Sequence, residues 1–132
     1  MSSESIKASQ LLQEKLVCFF DELIEMFPND SNFVIGRIMV KDRIPITEIV
    51  KQMTTYLLPE KDNIKSAVKN ALSGNPAPFN DKVNQLFYKF GGADDAQAIT
   101  YKKTFDNLDD ESKIAIWKWL HVFTHLIEKC QV

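Results

Sequence analysis

The sequence feature that most restricts the fold is residues 114–127, which read IAIWKWLHVFTHLI and contain both tryptophans and both histidines of the chain. Apolar side chains recur here at the three- and four-residue spacings of one helix face. At about 100° per residue they fill about half of a helical wheel, and polar side chains form a narrow strip opposite. This apolar arc is wider than one helix–helix contact requires. We therefore predict a long amphipathic C-terminal helix that packs between neighbours in the core.

Both ends of this helix carry local signals. Asp109 is a typical N-cap residue. Asp110 and Glu111 follow in the first turn, and Lys129 lies in the last turn, so the charges complement the helix dipole. Capping, charge and periodicity all predict a helix that begins after Asp109.

Similar apolar spacings run through most of the chain. Residues 6–27 predict one helix, and further helices are predicted after Pro45, after Pro59 and twice between residues 80 and 108. The first three stripes are Leu12, Leu16, Phe19, Phe20, Leu23 and Phe27; Ile46, Ile49, Val50, Met53 and Leu57; and Ile64, Ala67, Val68, Ala71 and Leu72. We predict an all-α fold, a single compact domain of about six helices over residues 1–132. A flexible N-terminus at 1–5 and an exposed loop at 73–79 complete it.

Residues 33–40, FVIGRIMV, are compatible with two structures. The run is apolar and rich in β-branched residues, as in a buried strand. However, Pro45 would then lie in the return strand, and no third strand supports the pair. We therefore predict a short buried helix, in which Gly36 lets another helix approach closely.

Charge gives little support to nucleic-acid binding. The chain has 16 Lys and Arg against 18 Asp and Glu, and only two of the basic residues are arginines. Lys61, Lys65 and Lys69 nevertheless follow one helical face, which Lys102 and Lys103 could extend. A nucleic-acid-associated packaging or regulatory protein is therefore an alternative function.

The ends of the chain and its cysteines suggest an intracellular setting. The first ten residues lack the apolar segment of a signal peptide, and no run is long enough to span a membrane. Cys18 and Cys130 are expected to be buried or half-buried thiols, although a disulfide between them is also compatible with the sequence.

The two histidines pose the main chemical question. His121 and His125 are four residues apart, so they could share a metal ion with Glu128, and a metal-dependent enzyme is a further alternative function. However, Val122 replaces the glutamate of the HExxH motif. The helical wheel assigns both histidines to the solvent side. We therefore predict no catalytic residue, cofactor or metal site. With Trp117, at the border of the apolar arc, His121 and His125 are instead candidate contacts for a partner.

Two stretches carry a family resemblance: residues 15–50, KLVCFFDELIEMFPNDSNFVIGRIMVKDRIPITEIV, and residues 109–130, DDESKIAIWKWLHVFTHLIEKC. The FFDEL and FP segments, the later IPI and the closing IWKWL resemble small, uncharacterised helical proteins of large nucleocytoplasmic DNA viruses, notably marseilleviruses. The resemblance implies a non-enzymatic viral accessory or virion-associated protein that acts through protein–protein interaction or self-association. The expected location is the host cytoplasm or the particle, with the nucleus as an alternative, and the protein is not expected to be secreted.

Overall fold

The computed structural model describes residues 3–76 and 107–131, and all regular secondary structure in these ranges is helical. The elements are α1 (Ser3–Met26), α2 (Ser31–Ile38), a π turn (Met39–Arg43), α3 (Ile46–Leu57), a 3-10 turn (Leu58–Glu60), α4 (Lys61–Leu72) and α5 (Asp110–Cys130). The predicted all-α class is confirmed for this part of the chain. Residues 107 and 108 are not helical, and the rest of the two helices predicted between residues 80 and 108 lies outside the described residues. The number of helices and the extent of the domain therefore stay predictions.

The C-terminal helix α5 is central to the described structure, as its sequence predicts. It packs against α1, α3 and α4. The Asp109 carboxylate accepts a hydrogen bond of 2.7 Å from the backbone N–H of Ser112, which confirms the predicted N-cap. The helix therefore begins where its local signals predict.

The core consists of apolar side chains from every described helix. Its fully buried members include Leu12, Leu16, Phe20, Leu23, Val40, Ile49, Met53, Leu57, Leu120, Phe123 and Ile127. The rings of Phe19 and Phe123 pack in a T-shaped arrangement, with ring centroids 5.5 Å apart. Burying each such side chain contributes about 1.5–3 kcal/mol to folding. The aromatic residues of α1 and α5 are thus packing residues.

Helix α1 begins earlier than the sequence predicts. Residues 3–5, expected to be frayed, form its first turn, and Ser5 is fully buried. The hydroxyl of Ser9 donates a 2.9 Å hydrogen bond to the Ser5 carbonyl and also lies 3.5 Å from the sulfur of Cys130. Packing against the end of α5 explains this order at the N-terminus.

The segment 33–40 is helical, as predicted, but it is not a buried helix. Asp30 caps α2 through a 3.0 Å hydrogen bond from the backbone N–H of Asn32. Within α2 only Phe33 and Gly36 are buried. The helix packs on α1 through one side, which leaves its other apolar side exposed.

The π turn after α2 changes the hydrogen bonding of the chain. In an α-helix the N–H of Ile44 would donate to the carbonyl of Val40, four residues back. Here it donates to the carbonyl of Met39, five residues back, at 2.7 Å. The side-chain amide of Gln13 donates to the Val40 carbonyl instead, at 2.9 Å. An α1 side chain thus replaces the missing backbone donor.

The apolar stripe predicted for α4 is only partly correct. Ile64, Ala67 and Ala71 are buried, but Leu72 is 65% exposed. Leu72 is the last residue of α4, and the end of the helix leaves it exposed. After α4 the chain turns through Gly74, whose φ is +87°, and residues 77–79 of the predicted loop lie outside the described residues.

The two cysteines are both free thiols. Cys130 is half-buried, as expected, whereas Cys18 is exposed. Position 18 lies on the outer side of α1, so the expected burial of this thiol is wrong. No helix among residues 3–76 and 107–131 combines the length and apolar character needed to cross a bilayer.

Candidate interaction surfaces

A polar groove of about 240 Å³ lies between α4 and α5. The first two turns of α4 form one wall and the C-terminal half of α5 forms the other. Its lining residues are Lys61, Asp62, Lys65, His121, Thr124, His125 and Glu128. We call it the α4–α5 groove. It brings together charged side chains that are about 60 residues apart in the chain.

Few of the polar atoms in this groove form hydrogen bonds or ion pairs with one another. The Lys61 ammonium lies 3.6 Å from the Glu128 carboxylate, and both side chains are about half exposed. An ion pair of this kind contributes little to stability and can be displaced. The Thr124 hydroxyl donates a 2.8 Å hydrogen bond to the His121 carbonyl, so it is already occupied within α5. The ionisable side chains are therefore the groups available to a ligand.

The predicted contact residues do not form one surface. His121 and His125 are exposed and face the α4–α5 groove. Trp117 is only 3% exposed, which contradicts its assignment as a partner contact. It lies seven residues before buried Thr124 and so faces the same side of α5, toward the core rather than the solvent. The helical wheel puts Trp117 at the edge of the apolar arc. In the fold, neighbouring side chains also cover this position, so the buried side of α5 includes Trp117.

The metal hypothesis can be compared with the same geometry. Glu128 lines the groove with the two histidines, but its carboxylate faces Lys61. Among the described residues, no group of three or more His, Cys, Asp and Glu side chains is placed to hold a metal ion. The groove around His121 and His125 also contains Lys61 and Lys65, and the positive charges of these lysines distinguish it from a metal site.

The lysine row of α4 reaches the groove in part. Lys61 and Lys65 line it, and Lys69 is exposed one turn further along α4. Lys102 and Lys103 lie outside the described residues. The structure thus combines part of the lysine row with the two histidines, a relationship that sequence spacing within either helix cannot reveal.

A second surface, absent from the sequence predictions, is the exposed side of α2. Val34, Ile35 and Ile38 are 41–45% exposed. Their spacings of one, three and four residues put them on one side of the helix. We call them the α2 face. The apolar run 33–40 supplies these side chains, but the prediction of a buried helix assigned them to the core.

A small cleft of about 170 Å³ lies between the first turns of α1 and α3, and its apolar lining residues are Ile6, Ile46 and Val50. Ile6, Gln13 and Phe20 are spaced by seven residues, so they lie along one side of α1. Gln13 bonds the π turn, and Phe20 contacts α2 at Gly36. The cleft and α2 therefore follow each other along the same side of α1.

The α2 helix is attached to α1 by polar as well as apolar contacts. The Arg37 guanidinium donates a hydrogen bond to the Asp21 carboxylate, and Gly36 packs against Phe20. These contacts use the side of α2 that faces α1, so they fix the helix while the α2 face stays in solvent.

Comparison with protein-family models, curated proteins and solved structures finds no match to this chain.

Proposed function

We propose that this chain is a non-enzymatic interaction module that binds another protein chain through the α2 face. The observation that carries this proposal is the exposure of Val34, Ile35 and Ile38 side by side on an eight-residue helix. Single exposed apolar residues are ordinary, but large apolar side chains grouped on one surface are typical of protein interaction sites. Burying three such side chains would supply several kcal/mol of association free energy before its entropic costs.

The partner that these residues fit best is a second copy of the chain. Lys41, Asp42 and Arg43 are all exposed in the π turn that follows α2, and together they carry only one net positive charge. This mixture favours neither a strongly acidic nor a strongly basic partner. A net charge of −2 also gives little repulsion between copies. A two-fold contact of one α2 face with another is self-complementary, as in most homodimers.

The resemblance to marseillevirus proteins supports a biological setting for this proposal. A small helical protein that associates with itself would act as an accessory factor in the infected cell or as a component of the particle. The proposed role requires contacts and no chemical step, which agrees with the family resemblance.

Sedimentation velocity over a range of protein concentrations tests self-association. The wild-type chain is expected to dimerise in the micromolar range, about −7 to −8 kcal/mol. The double variant Ile35→Gln and Ile38→Gln should remain monomeric, because glutamine keeps a good helix propensity but removes the apolar surface. Circular dichroism should show the same helical content as the wild type.

A matched control uses Leu11 and Val122, which are 40% and 41% exposed on other helices. The double variant Leu11→Gln and Val122→Gln removes a similar apolar area and should still dimerise. A wild-type chain that stays monomeric at about 0.5 mM would contradict the proposal. Loss of the dimer in the control alone would instead assign the interface to α1 and α5.

A further inference from the structure

We propose that the α4–α5 groove is a binding site for a small phosphate-like anion and that protonation of His121 and His125 controls it. The proposal is independent of the α2 face, because it rests on different helices. Two lysines and two histidines line a groove of about 240 Å³, large enough for one tetrahedral anion with part of its hydration shell. Lysine and charged imidazole both donate hydrogen bonds to such an anion.

At neutral pH the formal charges in this groove cancel. Lys61 and Lys65 contribute two positive charges, and Asp62 and Glu128 contribute two negative charges. Neutral histidines add nothing to this balance. An anion entering the groove at neutral pH therefore meets no net attraction and must compete with Glu128 for Lys61.

Protonation of both histidines changes the formal charge of the groove from zero to +2. From α4, the charged groups facing them are Lys61, Asp62 and Lys65. On α5, Glu128 lines the same groove, and Lys118 and Lys129 are exposed within one turn of a histidine. In the described residues around the groove, positive groups then outnumber negative ones. Anion binding should consequently strengthen as the pH falls through the range in which histidine ionises.

The composition of the groove favours an anion over a metal cation. A cation would have to approach Lys61 and Lys65, whose charges repel it, and it would compete with protons for His121 and His125. The two kinds of ligand therefore require opposite pH dependence. An anion binds better at low pH and a metal ion binds better at high pH.

NMR titration of the ¹⁵N-labelled protein with sodium sulfate provides the test. Sulfate has the geometry of phosphate but keeps its charge across the range studied. Ionic strength is held constant with sodium chloride, since added salt screens charge. The titration is run at about pH 5.5 and at about pH 7.5, near the two ends of the range in which histidine side chains change charge. Sulfate should bind at least about ten-fold more tightly at the lower pH.

Two variants, one of the histidines and one of Glu128, separate the proposal from general electrostatics. The double variant His121→Gln and His125→Gln should lose the pH dependence, because the chain has only these two histidines. Glu128→Gln should act in the opposite direction. It gives the groove one net positive charge at neutral pH and releases Lys61, so sulfate should bind more tightly at about pH 7.5 than it does to the wild type.

Two single lysine variants test whether the effect belongs to the groove or to the net charge of the protein. Lys65→Gln removes one positive charge from the groove, and Lys7→Gln removes one from the exposed surface of α1. Only Lys65→Gln should weaken sulfate binding. The chemical shifts that change with sulfate should belong to the groove residues of α4 and α5 in the wild type and in Lys7→Gln.

A parallel titration with a short single-stranded DNA identifies the source of the phosphate. Binding of DNA with the same pH dependence and the same groove shifts supports the site and makes a nucleic-acid backbone its ligand. Sulfate binding without DNA binding supports a free anion. Affinity for sulfate that does not change with pH overturns the proposal, as do shifts outside the groove or tighter binding of zinc than of sulfate at the lower pH.

Discussion

Gly36 of α2 lies directly against the ring of Phe20 in α1. A Cβ atom at position 36 would be 2.7 Å from Cε1 of Phe20, closer than such atoms pack. Phe20 is fully buried, so its ring cannot move aside without disturbing the core. The close approach predicted for Gly36 is therefore one of the points at which α2 is attached to α1.

Gly36→Ala should destabilise the protein by about 1–2 kcal/mol, even though alanine favours a helix over glycine by about 1 kcal/mol. The free energy of unfolding in urea measures this effect. Combining Gly36→Ala with Phe20→Leu should cost less than the sum of the two single changes, because leucine leaves space for the new methyl group. If Gly36→Ala instead raises the free energy of unfolding, α2 can move away from Phe20 without loss of stability.

Leu57 and Leu72 end two apolar stripes that look equivalent in the sequence. Leu57 is fully buried between α3 and its neighbours, whereas Leu72 is 65% exposed. Leu57→Ala should destabilise the protein by about 2–5 kcal/mol because it leaves a cavity. Leu72→Ala should change the free energy of unfolding by less than about 0.5 kcal/mol. Equal effects in thermal unfolding would contradict the orientation of α4.

The N-cap of α5 predicts a dependence of stability on pH. Two hydrogen bonds from Ser112 hold the pKa of the Asp109 carboxyl below its ordinary value. The bond from the Ser112 hydroxyl has the larger effect, and the bond from its backbone N–H has the smaller one. The folded protein therefore favours the ionised carboxylate. Its contribution is complete above the pKa of the unfolded chain and is lost as the pH falls through the lower pKa of the folded state.

Asp109→Ala should accordingly lower the Tm at neutral pH by a few degrees, and the difference from wild type should shrink below about pH 4. Asp109→Asn is the matched variant. Asparagine also caps helices, so it should retain much of the Tm while losing this pH dependence. A gap between wild type and Asp109→Ala that widens in acid would contradict the assigned cap.

The indole N–H of Trp119 donates a hydrogen bond to the Glu22 carboxylate, which joins the outer edges of α1 and α5. Glu22→Ala should cost about 1 kcal/mol, since it leaves the half-buried indole nitrogen without this acceptor. Glu22→Gln keeps an acceptor oxygen and should cost less. Urea unfolding measures the free energy of unfolding of both variants. If Glu22→Gln and Glu22→Ala lose the same stability, the loss does not come from this hydrogen bond.

The fold was predicted best where local chemistry decides the structure. Asp109 followed by Asp110 and Glu111 marks a helix start in any context, and the structure confirms it. Leu12, Leu16 and Phe19 likewise repeat regularly enough to identify a buried side. Periodicity gives the direction of each side chain around its own helix axis, which is sufficient for these residues.

Periodicity does not say which neighbours cover a given direction. Trp117 stands at the edge of the apolar arc of α5, and packing buries it. Leu72 belongs to an apolar row, and the end of α4 leaves it exposed. The α4–α5 groove also depends on the packing of α4 against α5, which no spacing within either helix encodes. These misses concern contacts between distant segments, so the sequence pattern alone could not supply them.

The bond from Gln13 to Val40 has a consequence for the kinetics of association. The π turn cannot detach from α1 without leaving a carbonyl without its donor, and α2 is attached to α1 again at Phe20 and Asp21. The α2 face is thus held in place before any partner arrives. A partner that docks there need not first order the helix, so its association rate should follow the frequency of productive collisions rather than a folding step.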